Sequence, residues 1–269
     1  MLVQKRFGYR FLVLALALAA VLAFLLPFAV TAEEGTGQTA WDNEVNFDSA
    51  EEVSRNFSAY FASEQNARRE DELNYSWKVE DGAIRRTNNV DTSKDTVNIA
   101  ILTYMQDTYN DFEVSVDFQA GVKTAYWPVV AIRQQIPGKY FLTPGGGAGI
   151  FMQQNGKITA WGPIVNSGSA PVEQDITDVA NYYASMWHNL RIVAQGSSVE
   201  IYVDDILELS VSVGTTDYIK GYISLISVNN DCKFDNFKIR SLASDTAAGN
   251  EPNGSEWAQD GTPLDDLIP

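Results

Sequence analysis

Apolar and polar residues alternate along much of the middle of the chain. Between residues 112 and 119 every second residue is apolar and the residues between them are polar, and a period of two recurs at 198–203. This pattern is typical of a β-strand that buries one face. Further strand-like runs lie at 75–79, 83–87, 97–104, 129–134, 149–154, 157–161, 190–194, 206–213, 221–228 and 233–240. Many short strands separated by turn residues predict an antiparallel sandwich or barrel.

Residues 50–60 have a helical pattern instead. Ser49 precedes them as an N-cap, and Glu52, three residues later, is the expected partner in a capping box. We therefore predict a single short helix ahead of the strands.

The dipeptide Asn155-Gly156 predicts a hairpin between the runs at 149–154 and 157–161. A two-residue type I′ turn at this position pairs Gln154 with Lys157 and Ile150 with Trp161. Because the face with these residues is the more polar of the two, the pattern predicts that it faces solvent and exposes Trp161.

The first 32 residues have the features of an export signal. Three basic residues precede an apolar run at 11–26, which Pro27 ends, and small residues follow at 30–32. We predict a signal peptide at 1–32. An uncleaved anchor is the alternative, because the apolar stretch up to residue 30 is just long enough to span a bilayer. In both cases the protein is secreted or held at the cell surface.

The rest of the chain divides into three parts. Residues 33–46 are mostly polar and predict a linker, whereas 47–242 contain the strand-like runs and predict one domain. Residues 243–269 are rich in Gly, Asn, Ser, Asp and Pro without periodicity. This composition predicts a disordered acidic tail.

Charge and cysteine content exclude several classes of function. The formal net charge is −16, and it falls to −19 without residues 1–32, which contain three basic and no acidic residues. Such a surface repels nucleic acid and anionic membranes, so we expect membrane contact only if the N-terminal segment stays uncleaved. Cys232 is the sole cysteine, which excludes an internal disulfide and a thiolate-rich zinc site.

Seven short motifs occur in an order that resembles a known superfamily. They are W-x-V-x-D-G-A-I (77–84), D-F-E-V-S-V-D-F (111–118), V-A-I-R (130–133), W-H-N-L-R-I (187–192), V-E-I-Y-V-D-D (199–205), G-Y-I-S-L (221–225) and F-D-N-F-K-I (234–239). Together they resemble the concanavalin A-like lectin/glucanase superfamily, and most closely laminin-G-like modules and 3-keto-disaccharide hydrolase-like domains of secreted bacterial proteins. The resemblance implies an all-β jelly roll, a sandwich of two curved antiparallel sheets whose concave face often holds glycans.

The residues needed for catalysis are sparse. His188 is the only histidine, and at the start of a strand it is expected to be structural. The resemblance implies that a hydrolase of the laminarinase type would have an E-x-D-x-x-E strand, with two carboxyl groups close together. The segment 204–208 has the wrong spacing and begins in a predicted turn. The runs at 129–134 and 149–154, expected on the concave face, contain no carboxylate.

We therefore predict an exported, non-catalytic, lectin-like domain that recognises a glycan on the concave sheet. A glycoside hydrolase-like enzyme acting on a disaccharide or polysaccharide is one alternative. A cell-surface adhesion or scaffold domain with a protein partner is another.

A sugar site needs aromatic faces for pyranose rings and planar polar groups at their edges. Strand parity places Trp127 and Arg133 on one face, and Trp161 and the adjacent Tyr126 are expected to complete an aromatic platform. Tyr104 is expected at its rim. The resemblance further implies a structural calcium ion, for which Asp235 and Asp48 are the candidate ligands.

Overall fold

The structure is a computed structural model that describes residues 40–62, 67–69, 76–87, 99–121, 127–183, 185–214, 220–228 and 232–242. All of these residues except Ala40 belong to the second of the two units of the chain, Trp41–Pro269. The predicted signal segment, half of the predicted linker and the predicted tail lie outside the described residues. In the part of the chain that is described, no helix is long and apolar enough to cross a membrane.

The described residues of the second unit form short strands and the helix α1 (Ala50–Asn56). The strands are β1 (Asn43–Val45), β2 (Phe57–Ala62), β3 (Ala67–Arg69), β4 (Trp77–Glu80), β5 (Ala83–Arg86), β6 (Ile99–Tyr104), β7 (Phe112–Gln119), β8 (Pro128–Gln134), β9 (Ala148–Met152), β10 (Lys157–Trp161), β11 (Val172–Asp175), β12 (His188–Gln195), β13 (Ser198–Val203), β14 (Ile206–Ser212), β15 (Tyr222–Val228) and β16 (Lys233–Ser241).

The strands form two sheets. The first has the order β14-β13-β12-β7-β16-β5-β4, with β1 added on β16, and the second has the order β11-β10-β9-β8-β15-β6-β2-β3. The pairings of the central strands are antiparallel. Apolar residues at alternate positions of both sheets form one buried core, for example Val114 and Val116 of β7 and Val130 and Ile132 of β8. The predicted antiparallel β-sandwich is confirmed.

The sandwich begins earlier than we expected. Strand β1 lies within the segment 33–46, for which we predicted a linker, and Asn43 pairs with Ile239 of β16. Val45 and Phe47 are fully buried. Two apolar residues are too few to form a recognisable alternation, so the sequence pattern did not indicate a strand here.

Helix α1 has the predicted start but a different end. The Ser49 hydroxyl accepts a hydrogen bond from the Glu52 amide at 3.1 Å, and the Glu52 carboxylate accepts one from the Asp48 amide at 3.1 Å. The helix ends at Asn56, four residues before the predicted end, and β2 follows directly. Phe57 and Ala59 face the core, which is a period of two rather than of a helix.

The register of the β9–β10 hairpin differs from the predicted one by one residue. Met152 pairs with Ile158 and Phe151 with Thr159, because the loop has three residues, 154–156, and Gly156 adopts a φ of 80°. Ile150 and Met152 therefore face the core. Trp161 lies on the opposite face, level with Gly149.

Candidate functional site

The face of the second sheet that points away from the core is largely apolar. We call it the outer face, and it belongs to the sheet on which we expected the concave binding surface. Val129 and Ala131 of β8 alternate with core residues and lie on this face, as strand parity predicted. Its buried side chains form a second cluster: Ile99, Ile101, Val129, Ala131, Tyr140, Phe141, Phe151, Ile226 and Val228.

The connection between β8 and β9, residues 135–147, covers the centre of the outer face. Phe141 is fully buried, and its ring occupies the space above Gly149. A Cβ atom on Gly149 would lie only 2.4 Å from a carbon of that ring. Tyr140 packs edge-on against Phe141, with ring centroids 4.7 Å apart. The middle of the face is thus occupied by an aromatic side chain of the protein itself.

Buried polar groups anchor this connection to the sheet. The Gly138 amide donates to the Thr103 hydroxyl at 2.9 Å, and Thr103 is hydrogen-bonded to Ser224 at 2.8 Å. The Ser224 hydroxyl donates to the side-chain oxygen of Gln134, whose amide nitrogen donates to the Lys139 carbonyl. Thr103, Gln134 and Ser224 are all fully buried. Since buried polar groups are costly without partners, this network fixes the position of the cover.

Trp127 and Trp161 remain partly exposed at the margin of the apolar cluster. Trp127 stacks on Phe151, with centroids 4.5 Å apart and planes at 20°. Strand registers place Trp161 level with Ala131, four residues beyond Trp127. At about 3.3 Å per residue, the backbone positions of the two tryptophans are offset by roughly 13 Å along the strands. We call Trp127, Phe151 and Trp161 the aromatic shelf.

A polar row borders the aromatic shelf on β9, β10 and β11. The Gln153 amide donates to the Thr159 hydroxyl at 2.9 Å and to the Glu173 carboxylate at 2.6 Å. Lys157 lies 3.8 Å from Glu173. These planar amide and carboxylate groups supply the hydrogen-bonding partners that sequence reasoning did not identify. Glu173 was missed because β11 has no alternation of apolar residues.

Arg133 does not flank the shelf, contrary to our prediction. Its φ is +54°, and between Ala131 and Gln134 the pairing of β8 with β15 shifts register, which is a β-bulge. The bulge turns the guanidinium away from the outer face, so that Nη2 donates to the Asn110 carbonyl at 3.1 Å. The side chain is fully buried, and this burial lowers the pKa of Arg133.

Tyr104 does not lie at a rim either. It faces the core between the sheets, where it packs against Phe57 and Phe237 and its hydroxyl accepts a hydrogen bond from Asn43 at 2.6 Å. Burial raises the pKa of Tyr104. The fifth predicted contact, Tyr126, lies outside the described residues.

A match to a known protein family covers most of the chain. The sequence model of the 3-keto-alpha-glucoside-1,2-lyase-like domain matches residues 34–240. The chain belongs to this family. The predicted resemblance to 3-keto-disaccharide hydrolase-like domains is thus confirmed, and the family relates the protein to carbohydrates. No curated protein sequence matches the chain.

Solved structures resemble the fold of this 3-keto-alpha-glucoside-1,2-lyase-like domain at low sequence identity. A laminarinase from Flavobacterium sp. UMI-01 aligns with a TM-score of 0.51 and 11% identity over 74% of this chain and 99% of its own. A structure described with endo-acting O-glycanases of the human gut microbiota aligns with a TM-score of 0.50 and 12% identity, over 76% of this chain and 100% of its own. The carbohydrate-binding module CBM66 from Bacillus subtilis aligns with a TM-score of 0.44 and 12% identity, over 67% of this chain and 95% of its own. The first two likenesses support the concanavalin A-like fold and nothing finer.

The histidine of this family member has a structural environment. His188 Nδ1 lies 2.8 Å from an Asp204 oxygen, and Nε2 lies 3.0 Å from the Tyr183 carbonyl oxygen. The ring packs between Phe118 and Tyr182, with centroids 5.8 and 4.7 Å away. Both nitrogens therefore hold neighbouring segments together, in agreement with the structural role that we predicted.

The carboxylates at 204–208 also hold the fold together. Asp204 and Asp205 form the turn between β13 and β14, with φ values of 49° and 67°. Asp204 accepts a hydrogen bond from the Asn189 amide as well as binding His188. The buried Glu208 accepts bonds from the amide and hydroxyl of Thr177. These contacts give the carboxylates of this segment a structural role.

The two candidate calcium ligands lie near a third carboxylate. Burial, followed by the charges of Asp117 and Asp48, raises the pKa of Asp235, although the Asn236 amide donates to it. Among the described residues, no group of three or more His, Cys, Asp or Glu is placed to hold a metal ion. Calcium takes six to eight oxygen ligands. The described side chains therefore fit calcium poorly, and calcium binding at Asp235 and Asp48 stays a prediction.

Asp235→Asn is expected to raise the melting temperature slightly at neutral pH, by about 1–2 °C. The raised pKa means that the folded state disfavours the ionised carboxylate, so Asp235 destabilises the fold where it is ionised. The difference between variant and wild type should vanish as the pH falls below about 4, where the carboxyl is protonated in both states. Thermal unfolding between pH 3 and 7.5, with EDTA, measures it. A variant that melts no higher than the wild type at pH 7.5 in EDTA would contradict this account.

Proposed function

We propose that this domain is an exported, non-catalytic carbohydrate-binding module that holds a glycan against the aromatic shelf. The observation that carries the proposal is the exposed margin of the outer face, where Trp127 and Trp161 border the polar row. Aromatic rings offer flat apolar surfaces to pyranose rings, and the amide of Gln153 and the carboxylate of Glu173 match sugar hydroxyls at the ring edges. The family match supports a carbohydrate as the ligand class.

The environment of the shelf favours binding over catalysis. Strands β8, β9 and β10, which lie beneath and beside the shelf, carry no carboxylate. Glycoside hydrolysis ordinarily needs two carboxyl groups about 5 Å apart, or about 6.5–9.5 Å apart for inversion. Glu173, on the neighbouring strand, is engaged by Gln153 and lies near Lys157. Phe141 fills the centre of the face, where a catalytic groove would have to accept the substrate.

An enzymatic role on a disaccharide or polysaccharide is the second candidate, and the family match is what favours it. Incubation with a panel of disaccharides, 3-keto-glucosides and polysaccharides separates the two. We expect no product above the background rate. Product formation that a single Asp or Glu substitution abolishes would establish the enzyme instead.

The negative charge of the protein limits the kinds of glycan that it can bind. Because the whole chain has a formal net charge of −16, the protein should bind neutral glycans and exclude sulfated or uronate-rich ones. The predicted export signal would place this binding outside the cytoplasm.

The double variant Trp127→Ala/Trp161→Ala is expected to weaken retention on a neutral polysaccharide at least tenfold. Each indole supplies stacking surface, and a loss of about 1.4 kcal/mol is already tenfold in affinity. Affinity electrophoresis in gels that contain a β-1,3-glucan, a β-1,4-glucan or an α-1,4-glucan measures it, with alginate as the anionic control.

The matched control is Trp41→Ala, which removes a tryptophan on the side of the first sheet, where Trp41 lies against Arg240. It should be retained like the wild type. If the double variant keeps its fold and its full retention, the aromatic shelf is not the binding site.

A further inference from the structure

Most of the exposed large apolar side chains in the described part of the chain lie in two segments that His188 joins. Of the eight, six belong to two segments, 179–187 and 206–207. They are Val179, Tyr183, Met186, Trp187, Ile206 and Leu207, and each is 42–58% exposed. We call these six residues the apolar patch. Contiguous exposed apolar surface of this kind usually marks a contact site.

The apolar patch is held rigidly. His188 joins its two segments, because one ring nitrogen lies against Asp204 in the turn before Ile206 and the other lies against the Tyr183 carbonyl. The Met186 amide also donates to that carbonyl at 2.8 Å, and the Gln119 side chain donates to the Ser185 carbonyl at 2.8 Å. A rigid surface loses little conformational entropy when a ligand binds.

The apolar patch adjoins the hairpin that carries part of the polar row. Val179 packs against the hairpin tip, so closely that a Cβ atom on Gly156 would lie 2.4 Å from one of its methyl carbons. The Ile176 amide donates to the Gly156 carbonyl at 2.9 Å. Gln153 and Lys157 stand at the base of the same hairpin loop. The hairpin tip therefore lies between the apolar patch and the polar row that borders the aromatic shelf.

The charges around the apolar patch limit what can cover it. Asp204 and Asp205 lie in the turn before Ile206, and Asp178 immediately precedes Val179. Carboxylates at this position repel anionic lipid and a second copy of a chain whose net charge is −16. Carboxylate oxygens can accept hydrogen bonds from sugar hydroxyls, and Tyr183 and Trp187 of the patch provide exposed rings. A neutral glycan suits this combination.

We infer that the apolar patch is a second glycan contact and that the ligand is a long, neutral, linear polysaccharide rather than a short sugar. A chain of many units reaches both the aromatic shelf and the apolar patch, and binding at one surface raises the effective concentration at the other. This inference rests on the proposed carbohydrate binding, and it adds the length of the ligand and a second surface.

The test compares a polymer with its own tetrasaccharide, using whichever neutral polysaccharide of the panel the wild type binds. The variant Tyr183→Ala/Trp187→Ala should bind the polymer about 10–100-fold more weakly and the tetrasaccharide as the wild type does. The shelf variant Trp127→Ala/Trp161→Ala should lose both. The control Met105→Ala removes an exposed apolar side chain outside the patch and should change neither.

Each result has a distinct meaning. If the patch variant binds the polymer like the wild type while the shelf variant is weakened, the second contact is refuted and the proposed function stands. If the wild type binds no polysaccharide of the panel, or the shelf variant binds normally, the proposed function fails as well. Sedimentation analysis tests whether a second copy of the chain binds the patch instead, and flotation with phosphatidylcholine vesicles tests whether a lipid surface does. A dimer or a vesicle complex that the patch variant abolishes would overturn the glycan assignment.

Discussion

Replacing Glu113 with alanine is expected to destabilise the protein by about 3–5 kcal/mol. Glu113 lies on β7 with only 7% of its surface exposed, and it joins two arginines of neighbouring strands. One carboxylate oxygen accepts bonds from Nε and Nη2 of Arg240, at 2.8 and 2.5 Å. The other accepts a bond from Arg191 at 3.3 Å.

The cost arises because the two guanidiniums stay in place when the carboxylate is removed. Arg191 lies over the ring of Tyr202, 3.7 Å from its centroid, and Arg240 lies over Trp41 at 4.8 Å. These stacking contacts hold both cations close to the vacated position, where their charges would face each other with little solvent. Breaking a buried ion pair by removing one partner is costly for this reason. Glu113→Gln keeps an acceptor but not the charge, so we expect an intermediate loss.

Urea denaturation of the two variants and the wild type measures the difference. Glu200→Ala is the matched control, since Glu200 lies on the same sheet and accepts a bond from the Tyr202 hydroxyl. Its side chain is more exposed, so its loss should cost less than about 1 kcal/mol. A Glu113→Ala variant no less stable than Glu200→Ala would show that the bridge contributes little. If the alanine variant does not fold, the free energy of unfolding of Glu113→Gln can still be compared with that of Glu200→Ala.

The strands were predictable because one buried face imposes a period of two on the sequence. Strand β7 was expected at 112–119 and lies at Phe112–Gln119, and β13 was expected and lies at 198–203. Strands on which this constraint was weak were not predictable. Strands β1, β3 and β11 are three or four residues long, too short for an alternation to be visible. The β9–β10 register was wrong because the core requires Ile150 and Met152 inside, which outweighed the local preference of Asn155-Gly156.

The candidate site was predictable only in part, for a related reason. Parity along β8 placed Trp127 correctly, since the alternation holds up to Ala131. Arg133 follows a bulge that depends on the pairing with β15, and such a partner 90 residues away leaves no trace in local sequence. The cover 135–147 was also missed, because Tyr140 and Phe141 follow no periodic pattern that would indicate burial.

The second large effect is expected at this cover. Phe141→Ala should destabilise the domain by about 3–5 kcal/mol, because the ring is fully buried against the outer face and its removal leaves a cavity. Phe151, whose ring centroid is 5.9 Å from that of Phe141, would form part of the cavity wall. Thermal and urea unfolding measure the loss. Leu142→Ala is the control, since Leu142 is only partly buried at the edge of the same cluster and should cost less.

A substitution at Gly149 tests the same contact with Phe141 from the side of the sheet. Gly149→Ala places a Cβ atom 2.4–2.9 Å from three ring carbons of Phe141, so the ring must move and the variant should lose about 1–3 kcal/mol. In the Phe141→Ala background the same methyl group enters empty space. The cost of Gly149→Ala should then largely disappear, which a double-mutant cycle detects as a strongly non-additive pair. Additive losses would mean that Phe141 does not rest on Gly149.

The cavity also shows whether the cover and the aromatic shelf work together. An apolar cavity of ring size binds small aromatic molecules, so benzene or indole should restore part of the stability of Phe141→Ala and leave the wild type unchanged. Trp127 stacks on Phe151, which in turn contacts the cavity. If Phe141 holds that wall in place, glycan retention should fall in the variant and recover when the aromatic molecule is added. Retention that stays at the wild-type level throughout would mean that the shelf needs no support from the cover.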